Sequence, residues 1–141
     1  MRPENGKIES TFQTIANKFT IADLNGDKLL EIAAWIKETG PLFKYQIYHW
    51  DTSAQQFKID SNDRYPRFFK QSVIPYYESL LQNGQPPYRM VAYGLSYAYV
   101  YAGEYKQALP MIEKGLAMKN QYPPDKELLQ LKSMAQQALQ K

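Results

Sequence analysis

Hydrophobic positions change their period partway along this chain. Between residues 18 and 60 they alternate with polar ones: Phe19 and Ile21, then Leu30, Ile32, Ala34 and Ile36, then Phe43, Tyr45 and Ile47, and last Phe57 and Ile59. Successive side chains of a strand point to opposite faces, so a period of two predicts strands that each turn one face to a core. The breaks between the runs carry turn chemistry, at Asn25-Gly26-Asp27, Thr39-Gly40-Pro41 and Asp51-Thr52-Ser53. Connections this short leave no room for parallel crossovers, so an antiparallel meander of about four strands follows.

From Tyr65 onward the period lengthens to that of a helix. Pro66 is placed to start a helix and Pro75 to interrupt or restart it, because proline lacks an amide donor and clashes one turn back. Asn83-Gly84-Gln85-Pro86-Pro87 reads as a firm stop. The spacing then predicts a helix over 88–102, ended by Gly103. A second follows over 105–119, with Ala108, Met111, Ile112 and Leu116 facing inward. Tyr122-Pro123-Pro124-Asp125 stops that helix and caps a last one, which carries Leu128, Leu131, Met134, Ala135 and Ala138 on one face. The chain therefore reads as α+β: a loose lead-in over 1–14, a meander over 15–62 and a helical part over 63–141, the two halves packed as one unit.

Composition narrows the chemistry. A length of 141 residues suits one domain or two small units sharing a core. The absence of cysteine excludes disulfides, thiolate zinc sites, iron–sulfur clusters and cysteine nucleophiles. Seventeen basic against fourteen acidic residues give a net charge of only +3, and the basic residues are scattered singly. A nucleic-acid footprint needs a basic stripe, so no nucleic-acid partner is expected. The longest apolar stretch, 91–102, is broken by Gly94 and Ser96 and falls short of the roughly 20 residues of a membrane helix. The first seven residues are polar, with no hydrophobic segment behind them, so the chain is either cytoplasmic or recorded without an export signal.

The most specific segment is Asp23-Leu24-Asn25-Gly26-Asp27-Lys28-Leu29-Leu30-Glu31. Its side-chain oxygens fall at the first, third, fifth and ninth positions. Calcium takes 6–8 hard oxygen ligands at about 2.3–2.6 Å from such loops. Asp23, Asn25, Asp27, the carbonyl of Leu29 and the carboxylate of Glu31 form one candidate set. The other reading makes Asp23, Asn25 and Asp27 ordinary turn formers that bond their own backbone. An EF-hand is excluded, because the loop joins two predicted strands and lacks a glutamate at position twelve.

With its Asp-Leu-Asn-Gly-Asp core followed by Glu-Ile and an apolar strand, this segment resembles the calcium-loop repeat of FG-GAP and VCBS-type proteins. Those repeats form propeller blades in integrin-like and bacterial surface proteins. Ile47-Tyr48-His49-Trp50-Asp51 and Phe57-Lys58-Ile59 are similar to the closing strands of such a repeat, and the likeness covers a single repeat over about 15–60. It implies a calcium ion and an extracytoplasmic, cell-envelope setting. The sequence departs from the family at Lys28, where a glycine is usual and where the pattern calls for a positive φ.

In the helical part, Gly103-Glu104-Tyr105-Lys106-Gln107-Ala108-Leu109, preceded by Ala92, Leu95 and Tyr99 and followed by Ile112, Gly115 and Leu116, resembles one tetratricopeptide repeat over about 92–124. Small residues at Ala108 and Gly115 are where two antiparallel helices would approach closely. Such repeats are scaffolds, so a protein or peptide partner is implied. The stripe Tyr93, Tyr97 and Tyr101 recurs at one-turn spacing, as an aromatic groove for that partner or as core.

Reactive constellations are not evident in the sequence. His49 is the sole histidine and lies in a strand with no nucleophile beside it. Glu31 and Glu38 flank a strand without a second carboxylate pair, and the glycines are too widely spaced for a phosphate loop. Three functions follow in order. The first is a non-catalytic protein-interaction or scaffold module, the second an extracytoplasmic calcium-dependent structural or adhesion domain, and the third an enzyme with an unrecognised site.

Overall fold

The computed structural model describes residues 16–84, 86, 88–119 and 121–141; the lead-in expected over 1–14 and the start of the repeat-like segment at Ile15 lie outside them, as do Gln85 and Pro87 of the expected stop. The fold is α+β. Strands β1 (Lys18–Ala22), β2 (Glu31–Thr39), β3 (Leu42–Asp51) and β4 (Gln56–Asp60) form one antiparallel sheet in the order β1-β2-β3-β4. Each strand pairs with its successor, as short connections require. A 3-10 turn at Asn62–Arg64 leads out of the sheet into a helical stretch. That stretch runs through a single α-turn at Pro66–Phe68, a π-helical turn at Phe69–Val73 and helix α1 (Ile74–Gln82). Pro75 has no amide to offer the carbonyl of Gln71, and the wide turn just upstream absorbs the misfit, so the proline redirects the helix without ending it.

Helices α2 (Tyr88–Tyr101), α3 (Tyr105–Ala117) and α4 (Asp125–Leu139) complete the chain. The α2–α3 turn is closed by Gly103 at φ +80. Its amide donates to the Val100 carbonyl at 3.1 Å and the Glu104 amide to the Tyr99 carbonyl at 2.8 Å, the pair of bonds that ends a helix on a left-handed residue. Gly115 of α3 meets α4 closely: a Cβ there would lie 3.3 Å from the Leu128 methyls and 3.5 Å from Ala92. Asp125 does not cap α4. Its carboxylate turns instead to the buried Arg89 guanidinium, which also donates to the Met118 carbonyl at 3.1 Å.

One core joins the sheet and the helices. Trp35, Tyr45 and Ile47 of the sheet share it with Phe68, Phe69, Tyr77, Leu95, Ile112 and Leu128. Trp35 sits at its sheet end, packed edge-on against Phe43, Tyr45, Phe68 and Tyr76 at 5.3–5.9 Å between ring centres. The aliphatic stripes do not all face this core. Cross-strand register places Ala33, Trp35, Tyr45 and Ile47 on the helix side, and Phe19, Ile21, Ile32, Ala34, Tyr48 and Ile59 on the other. Both sheet faces are therefore apolar. On the outer one Ile21 and Ile59 are 61% and 63% exposed. Leu30 is also exposed, outside β2, and Met134 is exposed on α4, against the expectation of inward positions for both.

Candidate functional site

The β1–β2 connection folds around Asp23. Its Oδ1 accepts the amides of Gly26 at 2.7 Å, Asp27 at 3.1 Å and Asn25 at 3.3 Å, and its Oδ2 accepts the Lys28 amide at 2.8 Å. Asn25 Oδ1 accepts the Asp27 amide at 3.1 Å, and Asp27 Oδ1 accepts the Leu29 amide at 2.9 Å. The wrap needs left-handed backbone at two places, Gly26 at φ +83 and Lys28 at φ +70. The second is the position at which the sequence pattern calls for glycine. Leu24 plugs the base of the loop into the core, and Glu31, almost wholly buried at the start of β2, accepts the Leu24 amide at 2.7 Å.

Carboxylate oxygens of Asp23, Asp27 and Glu31 come within 4.8 Å of one another. Of the other two members of the candidate set, Asn25 bonds within the loop through its Oδ1, and Leu29 through its amide, not the carbonyl of the candidate set. Burial, reinforced by the negative charges of Asp27 and Asp23, pushes the Glu31 carboxyl above its ordinary range, against the pull of the Leu24 amide. Desolvation acts the same way on Asp23, but its amide donors outweigh it and hold that carboxyl low. The Arg67 guanidinium lies against Gly26, with its Nη2 3.1 Å from where a Cβ would stand.

A second site lies between the sheet and α2. Tyr93, Tyr97 and Tyr101, all half-buried, project toward β3 and the π turn. Tyr97 stacks on Tyr101 with ring centres 4.4 Å apart, and its ring is 6.1 Å from Tyr45. Tyr101 lies 5.4 Å from Phe69. Asn62 ties this stripe to the sheet by donating to the Tyr45 carbonyl at 3.1 Å and to the Tyr97 hydroxyl at 3.4 Å. The stripe is thus at once core and groove: its inner edges pack on the sheet, and its rims line two clefts. One, of about 340 Å³, is bordered by Tyr45, Asp60, Asn62, Tyr101 and Met134. The other, of about 320 Å³, is walled by Phe43, Tyr45, Tyr77, Tyr93 and Tyr97, with Glu38 and Glu127 on its border.

Glu38 reaches this cleft because of a register irregularity. The β2–β3 ladder pairs Lys37 with Phe43 and Thr39 with Leu42, leaving Glu38 unpaired in a bulge. Strict alternation would send it to the outer face with Ala34 and Ile36, and the bulge turns it to the helix side. There its carboxylate accepts the Tyr122 hydroxyl at 3.2 Å. Burial, then the charges of Glu127 and Glu38, push the Tyr93 phenol above its ordinary value. Burial likewise raises Tyr77 to about 12. Sequence reasoning missed Glu38 and Glu127 as cleft residues, since a bulge leaves no mark on the hydrophobic period. His49, the lone histidine, is half-buried between Glu31 and Lys58 in the ladder.

No protein-family model matches the chain, and neither a curated protein nor a solved structure does.

Proposed function

We propose that this chain is a non-catalytic protein-interaction module that takes an extended peptide in the cleft between β3 and α2. The observation that carries the reading is the half-buried tyrosine stripe: Tyr93 and Tyr97 present ring surface to a cleft whose floor is fixed by the sheet. Rigid aromatic rings supply large contact area at low entropy cost, and such anchors commonly dominate interfaces. The experiment is selection from a displayed peptide library against the whole chain, with Tyr93→Ala as the counter-target. Clones that bind the natural chain and lose the variant support the module. Failure to enrich any such clone overturns it, as does a hydrolase or transferase activity that His49→Ala abolishes.

A calcium ion held in the β1–β2 loop is a second reading, favoured by the convergence of Asp23, Asp27 and Glu31. Oxygens on opposite sides of a calcium bonded at 2.3–2.6 Å stand about 4.6–5.2 Å apart, the scale on which these carboxylates cluster. Every side-chain donor there is oxygen, which suits calcium and not zinc. The ion would supply positive charge to three like-charged groups, while Asp23 and Glu31 hold the loop backbone for it. A thermal melt in millimolar calcium against chelator tests this, with magnesium as control. At a hundred times the dissociation constant the gain is about 2.7 kcal/mol. No shift, or one that Glu31→Gln preserves, leaves the turn-only loop.

A further inference from the structure

We propose that the cleft between β3 and α2 recognises a cationic side chain, arginine or lysine, on the partner polypeptide. This rests on the interaction-module reading and names its ligand chemistry. Charge complementarity carries it. Glu38 arrives from the bulge in β2 and Glu127 from the first turn of α4, and both border the same aromatic cavity. Neither forms an ion pair with a basic side chain among the described residues, and Glu38 there accepts the neutral Tyr122 hydroxyl. Two carboxylates without basic partners, in a cleft lined by Tyr93 and Tyr97, offer a guanidinium or ammonium both ion pairing and ring contact.

The fold already uses the same chemistry within itself. The Lys18 ammonium lies 3.9 Å from the centre of the Trp35 ring and 5.1 Å from that of Tyr76. Lys44 also borders the cleft, but it alternates with Phe43 and Tyr45 along β3, so its side chain departs toward the opposite face of the sheet. At about 320 Å³ the cavity lies at the small end of ligand sites, which run from about 300 to 1,000 Å³, and so suits one long side chain with its flanking backbone.

The test is an amide-resolved NMR titration of the whole chain with three blocked pentapeptides, carrying arginine, leucine or glutamate between glycines. The arginine peptide is expected to shift the amides of Phe43, Gly94 and Tyr97 saturably, more weakly at high salt. Glu127→Gln is expected to weaken it at least threefold, with an unchanged melting temperature. Equal binding of the leucine peptide, or arginine binding that neither Glu127→Gln nor Glu38→Gln alters, overturns cation recognition and leaves the interaction module standing. Absence of any shift in the cleft with all three peptides overturns both.

Discussion

The Tyr77 ring lies directly on the backbone of α2 at Gly94: a Cβ built on that glycine would stand 2.4 Å from the ring. The contact fixes how α1 meets α2. It also aims the Tyr77 hydroxyl at the sheet, where it accepts the Phe43 amide at 3.1 Å and donates to the Pro41 carbonyl at 3.3 Å. One side chain thereby ties helix to helix and helix to strand. Gly94→Ala must move a fully buried ring whose hydroxyl is already engaged. Overpacking typically costs about 1–3 kcal/mol, and alanine's better helix propensity returns about 1 of it. A net loss of up to about 2 kcal/mol in urea denaturation is expected. Gly115→Ala, where the nearest methyls stand at 3.3 Å, should lose less. Equal losses at the two sites would mean that the Tyr77 contact is not what requires glycine.

Lys28 holds a left-handed φ of +70 beside three carboxylates. Left-handed backbone costs a residue with a Cβ roughly 1–2 kcal/mol, and glycine returns about 0.4–1 kcal/mol of that as unfolded-chain entropy. Lys28→Gly is therefore expected to be neutral to stabilising by about 1 kcal/mol in chelator, and to bind calcium more tightly. Lys28→Ala removes the ammonium but keeps the strained φ, so it should gain affinity without gaining stability. Calorimetric titration and melts of the two variants separate charge from backbone.

The meander was legible because alternation and turn residues agreed at every break, and β1 and β4 fall where the period placed them. Which face each stripe would take was not legible. A period of two says that two faces differ, and the tandem Ala33-Ala34-Trp35 gives β2 apolar side chains on both. The core side was decided by distant partners, Phe68 and Tyr76 packing on Trp35. The acidic loop could be read from its oxygen spacing alone, because its bonds run over two to seven residues. The cleft could not. Glu38 and Glu127 are far apart in sequence, and the bulge that aims Glu38 leaves the hydrophobic pattern unchanged.

Arg89, only 2% exposed, pins the α3–α4 connection. Its guanidinium donates to the Met118 and Gln121 carbonyls at 3.1 and 3.5 Å and pairs with Asp125. A lysine there has one ammonium for a fork of partners. Charge-assisted bonds contribute about 1.5–3 kcal/mol each, so Arg89→Lys should destabilise by roughly 2 kcal/mol. Hydrogen exchange should quicken first at the amides of Met118 and Gln121. If exchange rises uniformly over the chain instead, the arginine is not a local pin.

Tyr97 is held by the sheet as well as by its own helix, through Tyr45, Tyr101 and Asn62. Tyr97→Ala should therefore lower stability, by about 2–4 kcal/mol for a half-buried ring. That makes it a poor probe of binding alone. Tyr93, at the open end of the stripe, should tolerate Tyr93→Phe with little loss, since its hydroxyl is not what seats the ring. Melting curves of both variants check the ranking.

Glu31 sets a pH signature that reports on the loop. Its carboxyl titrates above the unfolded value of about 4.3, chiefly through burial and then through the charges of Asp27 and Asp23. Folding thus favours the protonated form. Its stabilising contribution is fully present below pH 4.3 and is lost as pH rises through the raised folded pKa. In chelator, the stability of the natural chain minus that of Glu31→Gln should fall across that window and then level off. Taking the difference cancels the opposite contribution of the distant Asp125, whose carboxyl is held low and stabilises only at higher pH. On the calcium reading the ion requires the deprotonated carboxylate, so a calcium-dependent rise in melting temperature is expected to grow over the same window. Parallel pH profiles for the two proteins in chelator would show that Glu31 carries no such strain. A calcium effect independent of pH there would place the ion on other ligands.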